Sequence, residues 1–264
     1  MTSMPASVPS RATCSAEEWR LREELAACYR LIAHFRMSDL IFTHISLRLP
    51  GPQHHFLINP YGLMFDEISA SSLVKIDLAG QPLEPTPYKV NPAGFVIHSA
   101  IHAAREDARC VLHTHTRAGC AVAAQACGLL PLNQMSMEFY GRIGYHDYEG
   151  IALSFDEQQR LVRDLGGHAA LMLRNHGLLT VGESVPQAFL RMYYLEKACD
   201  IQLAAQAGGE LVIPSEAVCR RTERQFNEPL RPPQDGELSD PDANDLAWQA
   251  LLRLLERIAP GYKD

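Results

Sequence analysis

Three short β-rich runs, HISLRL at 44–49, HHFLIN at 54–59 and LVKIDLAG at 73–80, follow one another closely, with LPGP, PYG and other turn-forming residues between them. Brief strands broken by such turns predict an antiparallel meander. Around it the hydrophobic period changes. Ser15-Ala-Glu-Glu18 has the spacing of a capping box, and Trp19, Leu25, Cys28, Ile32 and Phe35 then recur at helical intervals, which predicts a first helix to about residue 37. After the meander the pattern alternates. Helices are expected at 93–105, 116–127, 156–165, 185–207 and 244–258, and strands at 109–115, 151–154, 169–174 and 178–181. The order predicts an α/β fold, an α/β/α sandwich with a central, mainly antiparallel sheet covered by helices on both faces. No strand leads into G-x-G-x-x-G or a P-loop, so a doubly wound nucleotide-binding fold is not expected. We divide the chain into a tail at 1–14, one domain at 15–228, and a linker with a C-terminal helix at 229–264.

With 264 residues and 47% hydrophobic content, the chain can bury a core that needs no disulfide or metal as a staple. The seven cysteines form no C-x-x-C pair and read as small buried hydrophobes in a reducing compartment. A formal charge of −7 removes the basis for general nucleic-acid binding. No stretch stays apolar for the roughly 18 residues that a membrane helix needs. The expectation is a cytoplasmic protein with a small-molecule substrate or a protein partner, and with no nucleic-acid or membrane role.

The chemistry begins at CVLHTHT, residues 110–116. In a strand, side chains two apart share a face, so His113 and His115 can grip one ion. Neutral imidazole suits zinc, iron, nickel or cobalt, and catalytic sites combine three protein ligands with an open position. His176 is a third candidate, because the apolar run LMLRNHGLLTVG breaks at Asn175-His176-Gly177 and resumes at once, as a tight turn or bulge would. On spacing alone, a metal site and hydrogen-bonded histidines closing a strand both remain open.

AGFVIHSAIHAAREDARCVLHTHT, CGLLPL, GYHDYEGIAL, FLINPYG and LRNHGLL together resemble the class II aldolase/adducin family, in particular its adducin-head branch, over about residues 20–225. By that resemblance His113, His115 and His176 are the metal ligands. The ion would be Zn(2+), with Fe(2+), Mn(2+) or Co(2+) as alternatives. Family enzymes split or epimerise sugar-phosphate-like substrates, usually as tetramers with sites between subunits, so a homotetramer is expected.

The sequence also departs from the aldolases. Aligning the next histidine with His98 sets Gly94 where an S-S-E motif has its acid, and His44, near Ser46, where a phosphate loop has asparagine. His44, Ser46 and Gly94 are thus the candidate substrate-binding positions, and a phosphate group is not required of the substrate. Glu138 lies near the position of the catalytic glutamate in related dehydratases, and Tyr262 resembles a C-terminal tyrosine that family aldolases use as proton donor. Both are candidate catalytic residues. His98 and His102, one helical turn apart, read as packing or supporting residues. The leading expectation is a metal-dependent lyase of class II aldolase type acting on a small hydroxy-carbonyl compound. The alternatives are a non-catalytic adducin-like assembly module and a non-haem iron oxygenase of the same fold.

Overall fold

The computed structural model describes residues 9–150, 155–227 and 243–264. Its centre is a seven-stranded sheet. The strands are β1 (His44–Arg48), β2 (Phe56–Ile58), β3 (Val74–Ile76), β4 (Cys110–Thr114), β5 (Ile143–His146), β6 (Ala170–Leu173) and β7 (Gly177–Gly182), in spatial order β3-β2-β1-β4-β7-β6-β5. The meander expected at 44–80 is present as β1, β2 and β3, paired antiparallel in succession. Among the described strands only β5 and β6 run parallel.

Helices cover both faces. On one side lie α1 (Ala16–His34), α3 (Arg117–Ala123), α6 (Val185–Ala207) and α8 (Ala243–Ile258), and on the other α2 (Pro92–Ala104) and α5 (Phe155–Leu165). The alternation of β4 fixes which residue meets which layer. Cys110 and Leu112 join the core with α1 and α6, whereas Val111 packs with Ile97 and Ile101 of α2 and Leu161 and Leu165 of α5. By the same period His113 belongs to the α2 side. Ser15 caps α1 by accepting from the Glu18 amide, as its spacing predicts, although the helix stops at His34.

Among the described residues, β5, the short α4 (Gln134–Met137), α7 (Glu216–Asn227) and two 3-10 turns, Phe65–Glu67 and Pro260–Lys263, were not foreseen. β5 reads Ile-Gly-Tyr-His, with a glycine that weakens the strand signal; a Cβ at Gly144 would lie 2.2 Å from the Asp164 carbonyl oxygen. The strand expected at 151–154, the loop expected at 229–241 and most of the expected tail lie outside the described residues. The last helix docks on its own chain: Trp248 and Leu255 enter the main core beside α1 and α6. No helix among the described residues is long and apolar enough to cross a membrane.

Candidate metal centre

His113, His115 and His176 arrive from three pieces of backbone around one strand pair. β4 pairs antiparallel with β7, with His113 opposite Leu179 and Thr114 opposite Leu178. His115 follows β4 directly, and Thr116 then caps α3. The turn from β6 to β7 supplies His176. Its amide donates to the Leu173 carbonyl (3.1 Å), and Asn175 takes φ 55°, a left-handed position that asparagine tolerates. The Asn-His-Gly break is therefore a tight turn that aims an imidazole. Gly177 is required by close approach, since a Cβ there would lie 2.3 Å from the Thr114 carbonyl oxygen and 3.2 Å from the His115 ring.

The three rings converge on their Nε2 atoms. His115 Nε2 lies 2.9 Å from His113 Nε2 and 2.9 Å from His176 Nε2. His113 Nδ1 is 2.9 Å from the Leu178 carbonyl, which can only accept, so Nδ1 carries the hydrogen and Nε2 a lone pair. His115 Nδ1 is 3.0 Å from Asp39 Oδ2, which imposes the same tautomer. Two lone pairs facing each other at 2.9 Å repel unless a cation lies between them. The donor set thus fits a divalent ion, with the carbonyl and the carboxylate as the outer partners that such histidines characteristically have. Burial, more than the neighbouring histidines, pushes His113 well below the ordinary imidazole range and His176 down to about 4, so both rings are neutral, as ligands must be. His113 is buried and the other two are half-buried, which leaves one side open to a cleft lined by His176, Arg174, Tyr148, His146, Glu157 and Leu161.

A second cluster, Cys14, Glu18 and Glu84, also has ligand atoms close together. It is already neutralised. Arg22 and Lys75 lie within 2.8–3.7 Å of these two carboxylates, so a further cation has little to gain there.

The other expected site residues divide. His44 faces His113 across the β1–β4 pair, with ring centroids 5.1 Å apart. Ser46 is on the same face but buried, its hydroxyl 2.5 Å from His98 Nδ1 and 2.6 Å from His102 Nε2. Gly94 opens α2 against the His44 ring. Glu138 is not brought to the histidines of its own chain. It closes α4, its charged neighbours are Arg191 and Arg142, and Arg191 bonds the Val181 carbonyl near the end of β7 away from His176. Burial raises its carboxyl to about 7, against the pull of the two arginines. Tyr262 is buried among α1 and α8 residues, its hydroxyl donating to Glu256 (3.1 Å) and its carbonyl accepting from the Ala70 amide. Asp39 was not foreseen. It sits in a segment without periodicity, after a residue in the left-handed region at Arg36, and nothing local in the sequence links it to His115.

The family profile described as Class II Aldolase and Adducin N-terminal domain matches residues 23–203. The chain belongs to the class II aldolase and adducin family. An aldolase II superfamily protein from Pseudomonas syringae shares 50% identity and superposes with a TM-score of 0.88, covering 96% of this chain and 99% of that one. An L-fuculose 1-phosphate aldolase from Glaciozyma antarctica shares 28% identity at a TM-score of 0.78, with 96% of each chain covered. Rat alpha-adducin is 43% identical over 252 residues, which are 92% of this chain and 34% of that protein. The expected fold class and family are thus both met, and the class II aldolases of that family are in general metal-dependent enzymes of lyase type.

Proposed function

We propose that the chain is a metal-dependent lyase that makes or breaks a bond beside the carbonyl of a small hydroxy-carbonyl compound, with His113, His115 and His176 holding one divalent ion, Zn(2+) in our reading. The observation that carries this is the meeting of three Nε2 atoms, with Leu178 and Asp39 drawing hydrogens of His113 and His115 to their Nδ1 atoms. When bound, the ion would polarise a substrate carbonyl and stabilise the negative charge that develops on its oxygen. The protein's own part is positional. Leu178 and Asp39 orient two ligands, the Asn175 turn presents the third, and the neighbouring cleft receives the substrate. His44 occupies the phosphate-loop position, so the substrate is read as unphosphorylated. Within one chain Glu138 lies near Arg191 and Arg142 and Tyr262 bonds Glu256, so a proton-carrying role for either at the three histidines requires a neighbouring subunit in a homo-oligomer, a tetramer by family likeness. The setting is read as cytoplasmic.

Metal analysis of the purified protein tests the proposal: one ion per chain is expected, lost in His176→Ala. Protein that stays metal-free after reconstitution with zinc, iron(II), manganese or cobalt defeats it. A second reading, an assembly module without chemistry, is favoured by the 43% identity to rat alpha-adducin over almost the whole chain. It predicts that His113→Ala leaves metal content and assembly unchanged. An iron(II) oxygenase of the same fold would consume oxygen with substrate, which a lyase would not.

A further inference from the structure

Four buried side chains between β1 and α2 form one hydrogen-bonded file whose direction follows from its inner end. The Ala108 carbonyl can only accept, so His102 Nδ1, 2.9 Å away, carries a hydrogen. A neutral imidazole has only one N–H, so His102 Nε2 is bare and takes the hydrogen of Ser46 Oγ, 2.6 Å away. The single hydroxyl hydrogen of Ser46 is then used, and Ser46 must accept from His98 Nδ1 at 2.5 Å. His98 Nε2 is therefore bare and accepts from His44 Nδ1 at 2.7 Å. Four links leave no choice at the fifth atom: His44 Nε2 has a lone pair and no hydrogen.

Two further observations bear on that atom. His44 is 4% exposed, its ring hydrogen bond runs through Nδ1 to His98, and the ring lies beside His113 with centroids 5.1 Å apart. The ring is also held in place: a Cβ at Gly94 would come within 2.5 Å of His44 Cδ2, so the first turn of α2 closes on the ring and leaves room for no side chain. Among the described residues no carboxylate pairs with any ring of the file, and all three rings are buried, which keeps them neutral.

We infer that Ser46, His98 and His102 lock the tautomer of His44, making it a one-way hydrogen-bond acceptor beside the three-histidine cluster that selects a substrate hydroxyl and rejects an anionic oxygen. His44 is then a specificity-determining residue, while Ser46, His98 and His102 are positioning residues that act through it. A ligand hydroxyl donates to Nε2. A phosphate or carboxylate oxygen would meet it lone pair to lone pair, at the cost of a buried unsatisfied contact. The substrate class rests on the metal reading above, but the lock does not.

The test reads the lock directly. In long-range proton–nitrogen NMR spectra of protein labelled with 15N-histidine, His44, His98 and His102 are expected to be protonated at Nδ1 in both metal-free and zinc-loaded samples. A hydrogen on His44 Nε2 overturns the inference, even in a protein that binds zinc. The expected pattern in a protein that takes up no zinc supports the lock and defeats the metal reading alone. Ser46→Ala is expected to release His44 into a mixture of tautomers and Ser46→Thr, which keeps the hydroxyl, to restore the single form; an unchanged pattern in Ser46→Ala overturns the lock. Hydroxyacetone and methoxyacetone, which differ in the hydroxyl hydrogen, then probe selection in the zinc-loaded protein. About tenfold tighter binding of hydroxyacetone is expected in the wild type, and most of that preference should vanish in Ser46→Ala. Equal binding of the two by the wild type overturns the selection.

Discussion

Single residues decide how firmly the cluster would hold an ion. Asp39 accepts from His115 Nδ1 and so keeps the other nitrogen of that ring free for the metal. Asp39→Ala is expected to weaken zinc affinity about 10- to 100-fold, measured by competition with a chromophoric chelator, with the fold unchanged by circular dichroism. Glu138 shows a different economy. Its Oε2 is buried without a hydrogen-bond partner, and burial raises the carboxyl to about 7. Between its ordinary value and 7 the folded chain binds more protons than the unfolded one, so the contribution of Glu138 is present at low pH and lost as pH rises through 7. Urea midpoints across pH 5–8 should show wild type losing up to about 1.4 kcal/mol per pH unit relative to Glu138→Gln in that window. A constant difference between the two proteins would show that Glu138 titrates normally.

Pairs of elements set the behaviour of the buried histidines. β1 and α2 meet through His44, Ser46, His98 and His102, and burial is the main cause that holds His44 and His98 well below the ordinary imidazole range and His102 down at about 3. The unfolded chain takes up protons on these rings below about pH 6.5 and the folded chain does not, so stability falls as pH drops. Each ring contributes up to about 1.4 kcal/mol per pH unit, which predicts unfolding in mild acid, seen as a steep loss of urea midpoint between pH 6.5 and 5. A flat profile would mean that the rings are solvated. Gly94 belongs to the same contact. Alanine there would gain about 1 kcal/mol of helix propensity, but its Cβ meets a ring that His98 pins at 2.7 Å, and overpacking costs about 1–3 kcal/mol. The clash wins, so Gly94→Ala should lower the melting temperature and disturb the His44 signals.

At the scale of the molecule, the sheet and its helices form one body that the C-terminal helix completes. Trp248 is 3% exposed and packs at a tilt against Phe189 of α6, with ring centroids 5.7 Å apart, and Tyr262 is equally buried just beyond. Trp248→Ala should therefore cost about 3–5 kcal/mol in chemical denaturation, the loss expected of a core aromatic. A loss near zero would show that α8 is an appendage. The expected division into a body and a separate linker with helix thus needs this qualification: the helix itself contributes to the common core.

Much of this was legible in the residues, because it depends on local period and local turns. The capping box at Ser15, the three strand runs of the meander, the shared face of His113 and His115, and the Asn175 turn each follow from neighbours within a few positions. β5 escaped because Gly144 and a short alternation give little signal, and Asp39 because its partner is 76 residues away in sequence. Gly94 and His44 looked like two separate departures from an aldolase pattern. They are one contact, since the ring fills the space that a side chain at 94 would take. The sequence by itself determined the family and the layered fold, and it pointed to three histidines that the fold brings together. Only the tertiary structure decided what stands behind them, because the tautomers of His44, His98, His102, His113 and His115 are set by acceptors on other elements, and strand register and helix docking bring those acceptors within 3 Å.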